Sequence, residues 1–96
     1  MSGNQRLPVL VNTQTNERLT LQSNVMIGRS PDNEVVLGDD DYASGEHARI
    51  FWDNGWFVED AGSSNGTFVN NEMLSARRRL APGDLITVGR TTFSIE

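Results

Sequence analysis

Short runs of β-favouring residues alternate with Gly, Asn, Asp, Pro and Ser along the chain, and no window of about 11 residues carries apolar positions at helical spacing. The runs are Leu7 to Val11, Arg18 to Leu21, Val25 to Arg29, Glu34 to Leu37, His47 to Trp52, Trp56 to Asp60, Thr67 to Val69, Leu85 to Val88 and Thr92 to Ile95. They predict an all-β domain, a sandwich of short strands. Period-2 alternation assigns inward faces: Leu19 and Leu21 oppose Thr20 and Gln22, and Phe93 and Ile95 oppose Thr92 and Ser94. Asp53-Asn54-Gly55 joins two aromatic-rich runs, and Asn-Gly tolerates the positive φ of a tight primed turn, so His47 to Asp60 is expected to be a hairpin. Pro82-Gly83-Asp84 is expected to turn as well, because proline presets the first φ and glycine accepts the second.

Composition narrows the function. The chain has 96 residues, no cysteine and a net charge of -5 from 8 basic and 13 acidic residues. This length suits one domain, assigned to residues 7–96 behind a flexible N-terminal segment, 1–6. Without cysteine there is no disulfide framework, thiolate metal site or thiol nucleophile. The acidic balance argues against nucleic acid or an anionic membrane as partner, so any anionic ligand must be captured locally. No apolar run approaches the roughly 20 residues that span a bilayer, and Met1 to Gln5 lacks the order of a secretory signal, which makes the cytoplasm the default location.

Polar, glycine-bearing segments fall between the predicted strands: Gly28-Arg29-Ser30, Asp39 to His47, and Gly62 to Thr67. Binding residues favour such loops. A guanidinium fork, small hydroxyls, an asparagine amide and backbone N–H groups are the donors that a phosphate dianion and its peptide would need.

In order and spacing, these segments resemble the forkhead-associated (FHA) domain. The matching blocks are Ile27-Gly28-Arg29-Ser30, Asp32 to Leu37, Ser44-Gly45-Glu46-His47-Ala48-Arg49-Ile50, Asp60 to Asn70, and Leu80 to Ile86. The resemblance implies an FHA-like β-sandwich of about eleven strands, with two more strands at Glu72-Met73-Leu74 and Arg77-Arg78-Arg79-Leu80. It also implies a phosphothreonine-peptide-binding module of Ser/Thr kinase signalling, a monomer in isolation, that needs no cofactor or metal. Its partner would be a phosphothreonine-containing protein, a Ser/Thr kinase or the substrate of one. On this resemblance Arg29 pairs with the phosphate, Ser44 and the Gly45 loop backbone hold it, Ser64 lies beside it, and Asn65 grips the peptide backbone. Tyr42 would contact the third residue after the phosphothreonine, while Gly28, His47 and Gly66 support the loops.

Glu46 sits where many relatives carry a donor, adding a carboxylate beside the phosphate. At about 8 Å the repulsion per unit charge is roughly 0.5 kcal/mol in water and roughly 2 kcal/mol at an effective dielectric near 20. Charge-assisted hydrogen bonds of about 1.5 to 3 kcal/mol each outweigh it, leaving affinity near the micromolar range. The alternative is a phosphate-independent interaction or dimerisation domain with a degenerate phosphate site.

Other readings compete residue by residue. Arg29 could form a surface ion pair with Asp32 or Glu34. Ser44, His47 and Asp60 could form a hydrolase triad, but no nucleophile elbow is present. Asp39-Asp40-Asp41 lacks the spacing of a calcium loop and reads as solvated loop, and Arg77-Arg78-Arg79 reads as solvated edge-strand charge with a supporting role for acidic ligands.

Overall fold

A computed structural model describes residues 6–96; of the segment assigned as flexible, all but the exposed Arg6 lies outside the described residues. Eleven strands follow in order: β1 (Val9–Asn12), β2 (Arg18–Thr20), β3 (Val25–Gly28), β4 (Val35–Val36), β5 (Ala48–Trp52), β6 (Trp56–Asp60), β7 (Thr67–Val69), β8 (Glu72–Met73), β9 (Arg78–Arg79), β10 (Leu85–Val88) and β11 (Thr91–Ile95). They form a six-stranded sheet, β2-β1-β11-β10-β7-β8, and a five-stranded sheet, β4-β3-β5-β6-β9. All neighbours are antiparallel except β3 and β4. The expected β-sandwich is therefore present, with the two additional short strands as β8 and β9.

Both sheets bury alternate residues against each other. Leu10, Val69, Ile86, Val88, Phe93 and Ile95 meet Val25, Ile27, Ala48, Ile50 and Val58 in one cluster. Burying a Leu, Ile, Val or Phe side chain is worth roughly 1.5 to 3 kcal/mol, so this cluster dominates stability. Phe93 and Ile95 point inward as the alternation predicts, but Leu19 does not: β2 is an edge strand and Leu19 stays 37% exposed. Leu21 is buried only after the strand has ended at Thr20.

Turn chemistry fixes the registers. The hairpin of β5 and β6 pairs Trp52 with Trp56. Its loop is the three residues Asp53 to Gly55, with φ of 56° at Asn54 and 152° at Gly55, one residue longer than the expected primed turn. The Pro82-Gly83 turn closes with Asp84 N–H donating to Ala81 O at 3.0 Å, Gly83 taking φ 90°. Asn70 and Asn71, at φ 51° and 69°, form a two-residue turn between β7 and β8. Asparagine tolerates that region better than other side chains, a signal readable in Asn-Asn but weaker than Asn-Gly.

Strand polarity sorts the loops into two ends. The end of β3, the start of β5, the end of β6 and the β10–β11 turn share one end, where the loops 29–34, 37–47 and 61–66 gather. The β5–β6 turn, residues 80–82 and both outer ends of β1 and β11 lie at the other.

Candidate functional site

Three loops of the first end are stitched together largely by backbone. Arg29 N–H donates to Ser44 O at 2.9 Å and Ser30 N–H to Gly45 O at 3.1 Å, which lays the loop after β3 along residues 44–45. Asn33 Nδ2 adds a bond to Gly45 O at 2.6 Å. The approach is close enough that a Cβ on Gly28 would stand 2.2 Å from Gly45 O, a backbone atom with no freedom to withdraw. Only glycine fits there.

His47 is fully buried and bonded at both ring nitrogens. Its Nδ1 accepts from Ser44 N–H at 3.0 Å, which leaves the ring proton on Nε2 to donate to Gly66 O at 2.8 Å. The imidazole thus bridges loop 37–47 to loop 61–66. Ser64 N–H donates to Ser44 Oγ at 3.0 Å, so that hydroxyl keeps its own proton for another acceptor. Asn65 Nδ2 donates to Tyr42 O at 2.8 Å, leaving its second N–H and its carbonyl oxygen.

Every residue expected at the site, Arg29, Tyr42, Ser44, Gly45, Ser64 and Asn65, falls on this surface, with Gly28, His47 and Gly66 beneath it. Arg29 is exposed and makes no ion pair among the described residues, with Asp32 or with Glu34; Glu34 instead accepts from Met26 N–H at 2.8 Å. The backbone N–H groups of Gly45 and Glu46 meet no protein acceptor among the described residues. A guanidinium, a hydroxyl proton and two free N–H groups from one loop are suited to an oxyanion.

The triad geometry is absent. Nδ1 of His47 is occupied by a backbone N–H and Nε2 faces Gly66 O, so neither is free to take a proton from Ser44 Oγ. Asp60 points elsewhere, and this is where sequence reasoning missed a framework residue. One carboxylate oxygen accepts from the hydroxyls of Ser63 and Thr67, the other from the N–H groups of Gly62 and Ser63. Burial pushes the Asp60 carboxyl upward, but these four donors outweigh it and hold it below the ordinary value.

Asp40 corrects the reading of Asp39-Asp40-Asp41 as solvated loop. It accepts from Arg90 N–H and Thr91 Oγ1, both at 2.8 Å, and from Tyr42 N–H at 3.0 Å, fastening the Tyr42 loop to the β10–β11 turn. Here too burial works upward and the hydrogen bonds, with the Arg90 charge, bring the carboxyl below its ordinary value. Gly89, at φ 61°, permits the contact: a Cβ there would stand 2.7 Å from both Asp40 oxygens. Arg90 then stacks on the half-exposed Tyr42 ring, its guanidinium carbon 4.0 Å from the centroid.

The arginines 77–79 sit far from this surface. Arg77 pairs with Asp53 in the β5–β6 turn and lies over Phe57, Arg78 pairs with Glu72, and Arg79 covers Gly55. Arg78 and Arg79 form edge strand β9 and Arg77 precedes it, all towards the opposite end, so they do not supply the expected support for acidic ligands at the loops.

Comparison with known proteins agrees with this fold. The FHA domain family model matches residues 25–89. FhaB of Mycobacterium tuberculosis, an FHA domain-containing protein, is 39% identical over 83 residues, covering 84% of this chain and 53% of FhaB. The chain spans about half the length of the curated relatives it matches. Mycobacterium tuberculosis EmbR, solved in complex with a low-affinity phosphopeptide, superposes with a TM-score of 0.90 at 30% identity, over 98% of this chain and 25% of EmbR. A domain solved in a study of phosphothreonine-dependent FHA domain interactions gives 0.86 at 29% identity, over 94% of this chain and 95% of that one.

Proposed function

The chain belongs to the FHA domain family, and from that premise we propose that it is a non-catalytic module that binds phosphothreonine peptides on the loops at one end of the sandwich. Arg29 pairs with the phosphate, Ser44 donates its hydroxyl proton, and the Gly45 N–H completes the contact. Ser64 acts through its bond to Ser44 Oγ, which sets that hydroxyl's direction. Asn65 holds the peptide backbone beside Tyr42. The partner is a Ser/Thr kinase or a substrate of one, in the cytoplasm.

The observation that carries this reading is the exposed Arg29, without an ion pair among the described residues of an acidic chain, whose backbone N–H bonds to the carbonyl of Ser44, a residue with its hydroxyl proton left over. A phosphate adds about -1.5 to -2 charges and strong acceptors, which gives those donors something to discriminate.

Titration of one peptide in phosphothreonine, phosphoserine and unmodified forms tests it. Phosphothreonine should bind near micromolar, phosphoserine about fourfold more weakly for the missing methyl, and the plain peptide not measurably. Arg29→Ala should weaken binding about 10- to 150-fold, the loss of a charge-assisted contact, with an unchanged melting temperature. Equal affinity for phosphorylated and plain peptide would instead support the phosphate-independent interaction domain.

A further inference from the structure

The inward stripe of the five-stranded sheet does not stop where the core stops. Ala48, Ile50 and Val58 are fully buried, and the next inward positions along β5 and β6 are Trp52 and Trp56. The two indoles are cross-strand partners, edge to face at 5.5 Å between centroids. Trp56 packs against the core, whereas Trp52 is left 58% exposed. Around them opens a groove of about 920 Å³ at the end opposite the phosphopeptide loops, with Leu7, Pro8, Leu80 and Pro82 among its apolar walls.

Its charge runs against that of the molecule. Arg6, Arg18 and Arg79 line the groove against one carboxylate, Glu96, in a chain whose net charge is -5. Glu96 is engaged by Arg18. Arg79 makes no ion pair among the described residues and is held in place by Gly55, where a Cβ would stand 2.7 Å from the guanidinium carbon. Arg79 is the register partner of Phe57 and lies 6.0 Å from that ring, so its side chain rises from the outward face of the sheet and reaches the groove at its rim, over Gly55.

We propose that this groove is a second docking site, for an acidic segment of a partner protein that carries an aromatic or aliphatic side chain among its carboxylates. The apolar side chain enters between Trp52 and the Leu7-Pro8 wall, and the carboxylates meet Arg79 and Arg6. Charge complementarity selects this occupant: a basic segment would be repelled by the arginines. A nucleic acid would find two uncompensated guanidiniums on a molecule that repels its remaining phosphates. Since the groove and the phosphopeptide loops occupy opposite ends, both sites can be filled at once, and the domain would bridge two partners.

Both tryptophans of the chain lie in this groove, so intrinsic fluorescence reports on it selectively. The probes are unphosphorylated, tryptophan-free peptides: one of Asp and Glu around a central Phe, one with Lys replacing the acids, and one with Ala replacing the Phe. The acidic Phe peptide should give a saturable change that weakens at least several-fold between about 50 and 500 mM salt. The other two should bind at least about tenfold more weakly. Arg79→Glu should lose at least tenfold in affinity for it, and Trp52→Ala, followed with a labelled peptide, a similar amount. Both variants should keep their phosphothreonine-peptide affinity, which separates this site from the other end. The proposal is overturned if the acidic peptide gives no saturable signal at millimolar concentration, if the Lys peptide or a single-stranded oligonucleotide binds as well, or if sedimentation shows a dimer that Trp52→Ala abolishes.

Discussion

Glycine carries a different meaning at neighbouring positions of the same site. At Gly28 a Cβ would collide with Gly45 O, but at Gly45 the nearest atom is Ser30 Cβ at 4.0 Å, ordinary contact. Gly28→Ala must push residues 44–46 away from Arg29, and overpacking against backbone costs about 1 to 3 kcal/mol. Its melting temperature should therefore drop by roughly 5 to 20 °C, with phosphopeptide affinity down about tenfold because the Gly45 N–H has shifted. Gly45→Ala should melt with the parent. Calorimetric melts and titrations of the two variants check both statements, and equal destabilisation would show that the close approach is not what holds the loop. His47 was legible as a brace through the family resemblance, but its bonding to two backbone groups was not, since Gly66 lies 19 residues away in sequence.

Among elements, those built by alternation and glycine turns were legible in the sequence and those built by capping were not. β6, β7 and β10 occupy the residues their apolar pattern predicts, because each anchors in one core: Val58 with Trp56 packed beside it, Val69 next to the buried Thr67, and Ile86 with Val88. β8 and β9 have two residues each, too short for any period, and only the family resemblance located them. The loop carboxylates went unrecognised because a sequence run such as Asp39-Asp40-Asp41 does not show which member finds donors 50 residues away. Those donors make loop order depend on pH. Asp60 and Asp40 titrate below the ordinary value in the folded state, so their contribution is complete above the unfolded-state value near 3.9 and is lost as pH falls through the lower folded values. Asp60→Asn exchanges acceptors for a donor against at least two of four hydrogen bonds and should cost about 2 to 4 kcal/mol at pH 7. Since the parent loses the same ionic contribution in acid, urea melts at pH 7 and pH 3 should show the gap between parent and Asp60→Asn narrowing at the lower pH. A gap independent of pH would mean that the carboxylate's charge does not stabilise the loop.

Across the whole molecule, the acidic excess lies at the loop end. Asp32, Asp39, Asp40, Asp41, Glu46 and Asp60 crowd that end around Arg29 and Arg90, whereas towards the other Arg6, Arg18, Arg77, Arg78 and Arg79 are nearly balanced by Asp53, Glu72, Asp84 and Glu96. At low salt a phosphopeptide approaching the loops thus meets a net repulsive field until it is within reach of Arg29, a field that the Debye length of about 10 Å at 0.1 M salt largely screens. Short-range donors then determine affinity, and the long-range field determines how quickly they are found. Flanking residues of the ligand should consequently alter association more than dissociation. A phosphothreonine peptide with Lys flanks should associate faster than one with Glu flanks at 20 mM salt, and the order should compress by 300 mM, the Lys peptide slowing while the Glu peptide speeds up. Glu46→Gln, which removes a charge next to the proposed phosphate position, should raise the association rate of the Glu-flanked peptide and tighten phosphate binding about twofold to thirtyfold over the dielectric range considered for that site. Stopped-flow measurements with a labelled peptide read all of this directly. If salt slowed both peptides alike, steering would be attractive after all, and the acidic excess at the loop end would have no part in ligand capture.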